Sequence, residues 1–324
     1  MVLRTSAMIN PDHLASYVTE RLVDTNRFMA AGVLYNDPML NTYIRDGGTT
    51  GRMPFYQQLT GASEVLGDNP LTDALTIGNT TIAAERYQVC ARGRAFGASD
   101  LAKAFSGDDP MKALGDMIAG YWNTRVNLQL IATLTGTFAA ANMTTNVHDV
   151  SATIGDGGVI SADTLVDAKQ LLGDRSDELS VIVMHSAMLA SLRKQQLVDE
   201  LRDVDFSGSI PFFMGLQVVT DDACAYDTGT NIGSTYIMGR NSVAYAGNAA
   251  PVPIEFDRDK LTGIDVVISR LHNVIHPRGI SMIDVTGIAG ETPDDAELAD
   301  GTVVMTRVFD PKNMPMIHFR ARSQ

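Results

Sequence analysis

Residues 108–136 read DDPMKALGDMIAGYWNTRVNLQLIATLTG, and the rest of the chain arranges itself around them. Asp108 or Asp109 offers a carboxylate to the free N–H groups of a first helical turn. Pro110 suits the first helical position, where no N–H partner is needed, and Gly136 stands where a left-handed residue would close the helix. Between these ends Met111, Leu114, Ile118, Tyr121, Leu128 and Ile131 fall at the three-and-four spacing of one helical face. At 1.5 Å per residue, roughly 26 residues make a rod of about 40 Å. Globular helices usually run to about 11–12 residues, so the sequence predicts a spine for the fold.

The chain has 324 residues, 45% hydrophobic and 19% charged, enough apolar mass for one large domain or two to three smaller ones. Its formal net charge of −13 argues against nucleic-acid recognition, because there is no cation excess to displace phosphate counterions. Cys90 and Cys224 make no disulfide framework and read as small buried apolar residues in a reducing compartment. No run of 18 apolar residues is present, so no helical membrane span is expected, and MVLRTSAMINPDH lacks the apolar core of a signal peptide.

Outward from the spine, residues 10–29 predict a first helix with Asn10 as cap and Pro11 at N1. Pro38 and the Gly47-Gly48 pair predict irregular chain over 36–50. GRMPFYQQL (51–59) reads as a strand with Met53 and Phe55 on one face. AAERYQVCARGRAF (83–96) reads as its return, with Tyr87 and Val89 on one face and Arg86, Gln88 and Cys90 on the other. A two-stranded ribbon with a long loop is marginal alone in water, so it needs a surface to lie on. The natural candidate is a second copy of the chain. Residues 139–160 are small and polar and read as a flexible connection. Then follow a helix capped by Ser161, a buried strand LSVIVMH (179–185), a helix from Ser186, strands at 212–224 and 234–247, and a long strand over 261–277 ending at Pro277-Arg278-Gly279. The acidic run Asp294, Asp295, Glu297 and Asp300 reads as a solvated loop before two short closing strands.

Catalytic constellations are missing from this pattern. There is no glycine-rich phosphate loop and no G-x-S-x-G nucleophile elbow. His272 and His276 are four apart, but on a strand that spacing puts them about 13 Å apart, too far for one metal. His13, His148, His185 and His318 are scattered without zinc-site spacing; His185 ends a buried strand, a place where α/β enzymes keep catalytic groups, but reads rather as a cap on the next helix or a side chain bonded to backbone. Neither a cofactor nor a metal is expected. Glu85, Arg86, Arg92 and Arg94 put alternating charge along the ribbon, where pairs across a subunit boundary could set register and specificity.

The order of elements resembles the HK97-type major capsid proteins of tailed bacteriophages. SVIVMHSAMLASLRKQQLV (180–198) is similar to the strand leading into a helix in the axial domain of siphophage capsid proteins. LHNVIHPRGISM (271–282) resembles the long strand of the peripheral domain with its His-Pro-Arg-Gly turn. ELADGTVVMTRVFDPKNMPMIHFRAR (297–322) resembles the closing segment of one capsid group, in which related chains carry Asn-Trp in place of Gly301-Thr302.

This resemblance implies an α+β fold with an N-terminal arm (1–45), an extended β-ribbon loop (46–95), a peripheral domain with the spine helix (96–139), an axial α/β domain (140–254), and returning peripheral strands with the C-terminal segment (255–324). It implies a shell of pentamers and hexamers around double-stranded DNA, formed in a host cytoplasm with a portal, a separate scaffolding protein and optionally a cement protein. Some members lock the shell with an isopeptide bond from a ribbon lysine. Here no lysine precedes Lys103, so no such bond is expected through the ribbon. Phe55, Tyr56, Glu85, Arg86, Arg92, Arg94, Trp122 and Arg125 are the expected inter-subunit contacts. A charge at Ile118 should abolish folding, whereas one at Trp122, off the apolar face, should spare it. The acidic balance suits a wall that must not snag packed DNA. An encapsulin-like compartment or a gene-transfer-agent shell would share the fold. The other class, an α/β hydrolase-like enzyme on 140–285, needs a nucleophile, base and oxyanion donors, and none can be named.

Overall fold

In the computed structural model the described residues are 26–45, 47–59, 61–65, 75, 77–100, 110–202, 209–247, 250–284 and 286–324. The cap of the expected first helix, and Asp108 and Asp109 before the spine, lie outside them.

The described chain starts with a one-turn helix, α1 (Arg27–Ala30). Asn26 caps it through Oδ1, which accepts from the N–H groups of Phe28 and Met29. The same side chain donates to Oδ1 of Asn123 and Asn127 on the spine, at 2.9 and 2.7 Å. After β1 (Leu34–Asn36) comes α2 (Pro38–Arg45), where the sequence predicted irregular chain. Pro38 occupies the first helical position, and Asp37 Oδ1 accepts from the Met39 N–H at 2.9 Å. The proline is therefore a start signal, not a break. Gly47 and Gly48, with φ of +91° and +96°, follow the helix.

Next come β2 (Thr50–Tyr56), β3 (Ile82–Gln88), β4 (Cys90–Ser99) and the spine, α3 (Pro110–Ala139). The spine is 30 residues long and runs straight through Gly136, which is not its terminus. A Cβ at Gly136 would lie 2.0 Å from the carbonyl oxygen of Leu298, so this glycine lets a second backbone approach. The packed face also differs from the predicted stripe. Ile118, Trp122, Val126, Leu130 and Leu134 are buried, while Tyr121 and Leu128 are only half-buried. Trp122 is 3% exposed, so it belongs to the core and not to an outer face. Beyond Gln129 most positions are buried on every side. There the hydroxyls of Thr133 and Thr137 donate to the carbonyls of Gln129 and Thr133, at 2.8 and 2.7 Å, which satisfies them without a solvent face.

Of residues 139–160, expected to be a flexible connection, the first part is tied down, while 152–157 are exposed. A 3₁₀ turn (Ala141–Asn146) buries Met143 and Asn146, and the Asn146 amide donates to the carbonyls of Pro311 and Met316. Then follow β5 (Val147–Asp149), α4 (Ala162–Gln170), β6 (Leu179–Met184) and α5 (Ser186–Lys194). Ser161 closes a capping box with Thr164 on α4, and His185 Nδ1 accepts from the Ala187 N–H to cap α5. The predicted strand at 212–224 begins within a hairpin. After β7 (Asp199–Arg202), β8 (Ser209–Phe213) turns into β9 (Leu216–Thr220) through Met214 and Gly215, with φ of +50° and +79°. Positive φ at both turn residues matches the right-handed strand twist.

β10 (Tyr226–Asp227) and β11 (Ile232–Gly239) complete an eight-stranded sheet in which the order is β5, then the C-terminal strand, then β11, β6, β9, β8 and β7. The predicted strand 234–247 divides at Asn241, φ +55°, and β12 (Val243–Gly247) joins another sheet. The remaining elements are β13 (Ile254–Asp259), β14 (Ile264–Pro277), β15 (Ile280–Asp284), α6 (Asp295–Ala299), β16 (Val304–Arg307) and β17 (Met316–Arg322). β14 organises the five-stranded sheet, pairing with β12, β13 and β4. β17 returns to the eight-stranded sheet, between β5 and β11. The acidic run is no solvated loop: Asp294 and Glu297 form a capping box that starts α6.

The spine lies between the two sheets. Val181 and Val183 of β6 join the spine's core, whereas Ile182 and Met184 join a second core under α4 and α5. In β12, Val243 and Tyr245 face the spine while Ala244 and Ala246 face α2 and the ribbon base. The strands β6, β11 and β12 are thus buried on two faces, which explains their near-continuous apolar runs, whereas β4 and β13 keep exposed positions.

Candidate assembly interface

The ribbon is the two-stranded sheet β2–β3, in register from Thr50 opposite Gln88 to Tyr56 opposite Ile82. Alternation sends Gly51, Met53 and Phe55 inward and Thr50, Arg52, Pro54 and Tyr56 outward. Pro54 is tolerated because β2 has a partner on one side only. Seven residues carry the ribbon about 23 Å from its base. Toward the tip apolar side chains stand in solvent: Tyr56 is 74% exposed, Leu59 75%, Ile77 90%, Val65 93% and Ile82 65%. An isolated subunit gains nothing from that surface, and covering it would release ordered water.

The base of the ribbon rests on its own subunit. Glu85, buried on β3, accepts from the Gly279 N–H at 3.2 Å and bonds His276 Nε2 at 2.8 Å. His276 is buried near the end of β14, and Gly279, φ +80°, sits in the turn to β15. The neighbouring Arg86 donates its backbone N–H to Ser281 Oγ (3.1 Å) and its guanidinium to the Ile283 carbonyl (3.3 Å). Phe55 meets Phe309 edge-on at 4.8 Å. One buried carboxylate therefore ties the ribbon to the turn that ends the long strand.

Beyond the base, β4 and the spine enclose a cleft of about 180 Å³. Its floor is Trp122, whose Nε1–H donates to Ser269 Oγ at 2.8 Å, beside Leu271 and Gln129. Its rim carries Arg92, Arg94 and Arg125. Asp295, the first residue of α6, bonds Arg92 with one oxygen (3.3 Å) and Arg125 with the other (2.6 Å). Arg94 is exposed, and none of these contacts engages it. Ala91 holds the approach to α6 in place by exchanging hydrogen bonds with Thr292. Burial pushes the neighbouring Cys90 thiol up to about 11, and burial with nearby Arg270 lowers His272.

The expected contact residues therefore separate into four sets. Tyr56 stands free on the ribbon, and Arg92, Arg94 and Arg125 come together on one cleft. Phe55, Glu85 and Arg86 are engaged within the subunit. Trp122 is the cleft floor and buried, which corrects its assignment to an outer surface. Sequence reading missed Asp295 as the joint carboxylate and His276 as the partner of Glu85. Both partnerships span more than 160 residues, so no local spacing announces them.

Comparison with known proteins places this geometry. Residues 111–247 match the family described as Gp13-like, major capsid protein 13-like. The chain is 35% identical to the major capsid protein of Bacillus phage SPP1 over 326 aligned positions, covering 99% of this chain and 98% of that one. Among solved structures it is similar to the capsid of Ralstonia phage GP4, with a TM-score of 0.57 and 12% identity over 86% of this chain and 85% of that one. It is also similar to a chain from Microbacterium phage Oxtober96, with a TM-score of 0.56 and 11% identity over 91% and 90% of the two chains.

Proposed function

The chain belongs to the major capsid proteins of tailed bacteriophages, and from that premise we propose that the exposed ribbon is the element by which each subunit overlaps the next. The protein has the HK97-type α+β fold, is structural and not an enzyme, and forms part of the virion as a shell of many copies. The proposal extends this to pentamers and hexamers that enclose double-stranded DNA. The eight-stranded sheet unit is the axial part at their centres, and the β14 sheet with the spine is the peripheral part. A ribbon given by each copy and received by the next is a heterologous contact, which closes into rings or shells.

The observation that carries this reading is the set of apolar side chains standing free at the ribbon tip. With no lysine before position 103, the shell holds by buried area and ribbon overlap without an isopeptide bond through this loop. A portal, a separate scaffolding protein and assembly in the host cytoplasm belong to the same reading, with a cement protein as an optional addition. Electron microscopy of the expressed protein tests it. Closed shells or rings of five and six support it; a monodisperse monomer at all concentrations and salts overturns it.

A further inference from the structure

We infer that the cleft between β4 and the spine, rimmed by Arg92, Arg94 and Arg125, is the receptor for the acidic loop 57–81 of a second copy of this chain. The inference rests on the overlap reading above and specifies where the loop seats and which chemistry selects the place.

The charge pattern carries it. Between Arg52 and Arg86 the sequence has no lysine or arginine, and the loop carries Glu64, Asp68 and Asp73. The ribbon therefore delivers a purely acidic tip. In a chain of net charge −13, that tip is repelled by most of the surface of another copy. The cleft is an exception, with three guanidinium groups and one carboxylate. Asp295 already serves both Arg92 and Arg125, so the cleft keeps an excess of positive charge, with Arg94 exposed at its rim. Arg92 and Arg125 are also held in place by Asp295. Arg92 and Arg94 sit two apart on a strand that pairs with β14 at Leu271 and Ser269, over the Trp122 floor. A guanidinium with a fixed orientation loses less freedom when it takes a carboxylate in paired hydrogen bonds.

The loop of the same subunit is not the occupant. Arg94 lies 12 residues beyond the ribbon tip at Ile82, about 40 Å along extended chain. Leu59, Val65 and Ile77, described residues of the loop, are exposed, so these positions are not packed on their own subunit.

The test is charge exchange in the full-length protein, read as the fraction sedimenting as shells. Arg94→Glu and the loop variant Asp68→Lys with Asp73→Lys each should cut that fraction at least several-fold at physiological salt. Combining them should restore most of it. A thermal melt of each variant's unassembled subunit is expected to match wild type, Arg94 being exposed, and a lowered melt marks a variant whose loss of shells is a folding defect. In parallel, Asp73→Cys with Arg94→Cys should give a disulfide ladder of multimers on a non-reducing gel of assembled particles. Single variants that assemble like wild type, a combined variant no better than either alone, or a disulfide formed only within one chain would overturn the inference. If wild-type protein forms no shells or rings, it is the overlap reading that fails. If wild type assembles but the exchange and the cysteine pair give nothing, the receptor assignment alone fails.

Discussion

His318 lies on β17 with its ring stacked on Tyr236 at 5.1 Å and tilted against Phe138 at 5.4 Å. Burial, helped by Arg320, lowers its pKa to about 4. The unfolded chain, with a histidine near 6.5, then takes up the proton first as pH falls. This contribution to stability is complete above about pH 6.5 and is lost between there and about pH 4. Urea midpoints measured across that window should fall for wild type and fall less for His318→Phe. Glu85 poses a different residue-scale question. Truncation by Glu85→Ala leaves His276 Nε2 and the Gly279 N–H facing a hole, at a cost of about 3 kcal/mol. Denaturant titration of the unassembled subunit measures it. Cys90 and Cys224, pushed by burial to about 11 and about 12, should resist iodoacetamide in native protein and react on unfolding.

At the scale of elements, the spine's existence and start were legible: the proline at 110 and a long apolar pattern mark it in sequence alone. Its face and its end were not. The three-and-four rule admits a stripe through Tyr121 and Leu128 as readily as one through Trp122 and Val126. The choice is made by where Ser269 and β14 lie. Gly136 reads as a helix stop because glycine is common there, but here it is the point where Leu298 crosses the helix. Gly136→Ala should cost about 1–3 kcal/mol by forcing two backbones apart, visible as a lower melting temperature. Ile118→Asp and Trp122→Asp should now behave alike and both abolish soluble expression, because both side chains sit in one core at 1% and 3% exposure. A soluble Trp122→Asp protein would return the indole to the outer face.

At the scale of the molecule, the spine fills the space between two sheets while the ribbon rests on the body as far as Phe55 and exposes its apolar side chains beyond it. Replacing residues 57–81 by an Asn-Gly turn should leave the melting transition of the subunit nearly unchanged, since the exposed tip supports no core, while abolishing shells in electron microscopy. Local chemistry was enough to write down the ribbon, the spine, the capped helices, the buried strand 179–184 and the order of elements that marks the capsid family. Each depends on residues within a few positions of one another, where periodicity and caps act. Which strand joins which sheet is different. The departure of β12, the return of β17, the Glu85–His276 tie and the Arg92–Asp295–Arg125 cluster join residues 26 to 203 positions apart. Nothing in a short window distinguishes these pairings from their rivals. They are chosen by which apolar faces meet across the spine and by which distant charged partners come together.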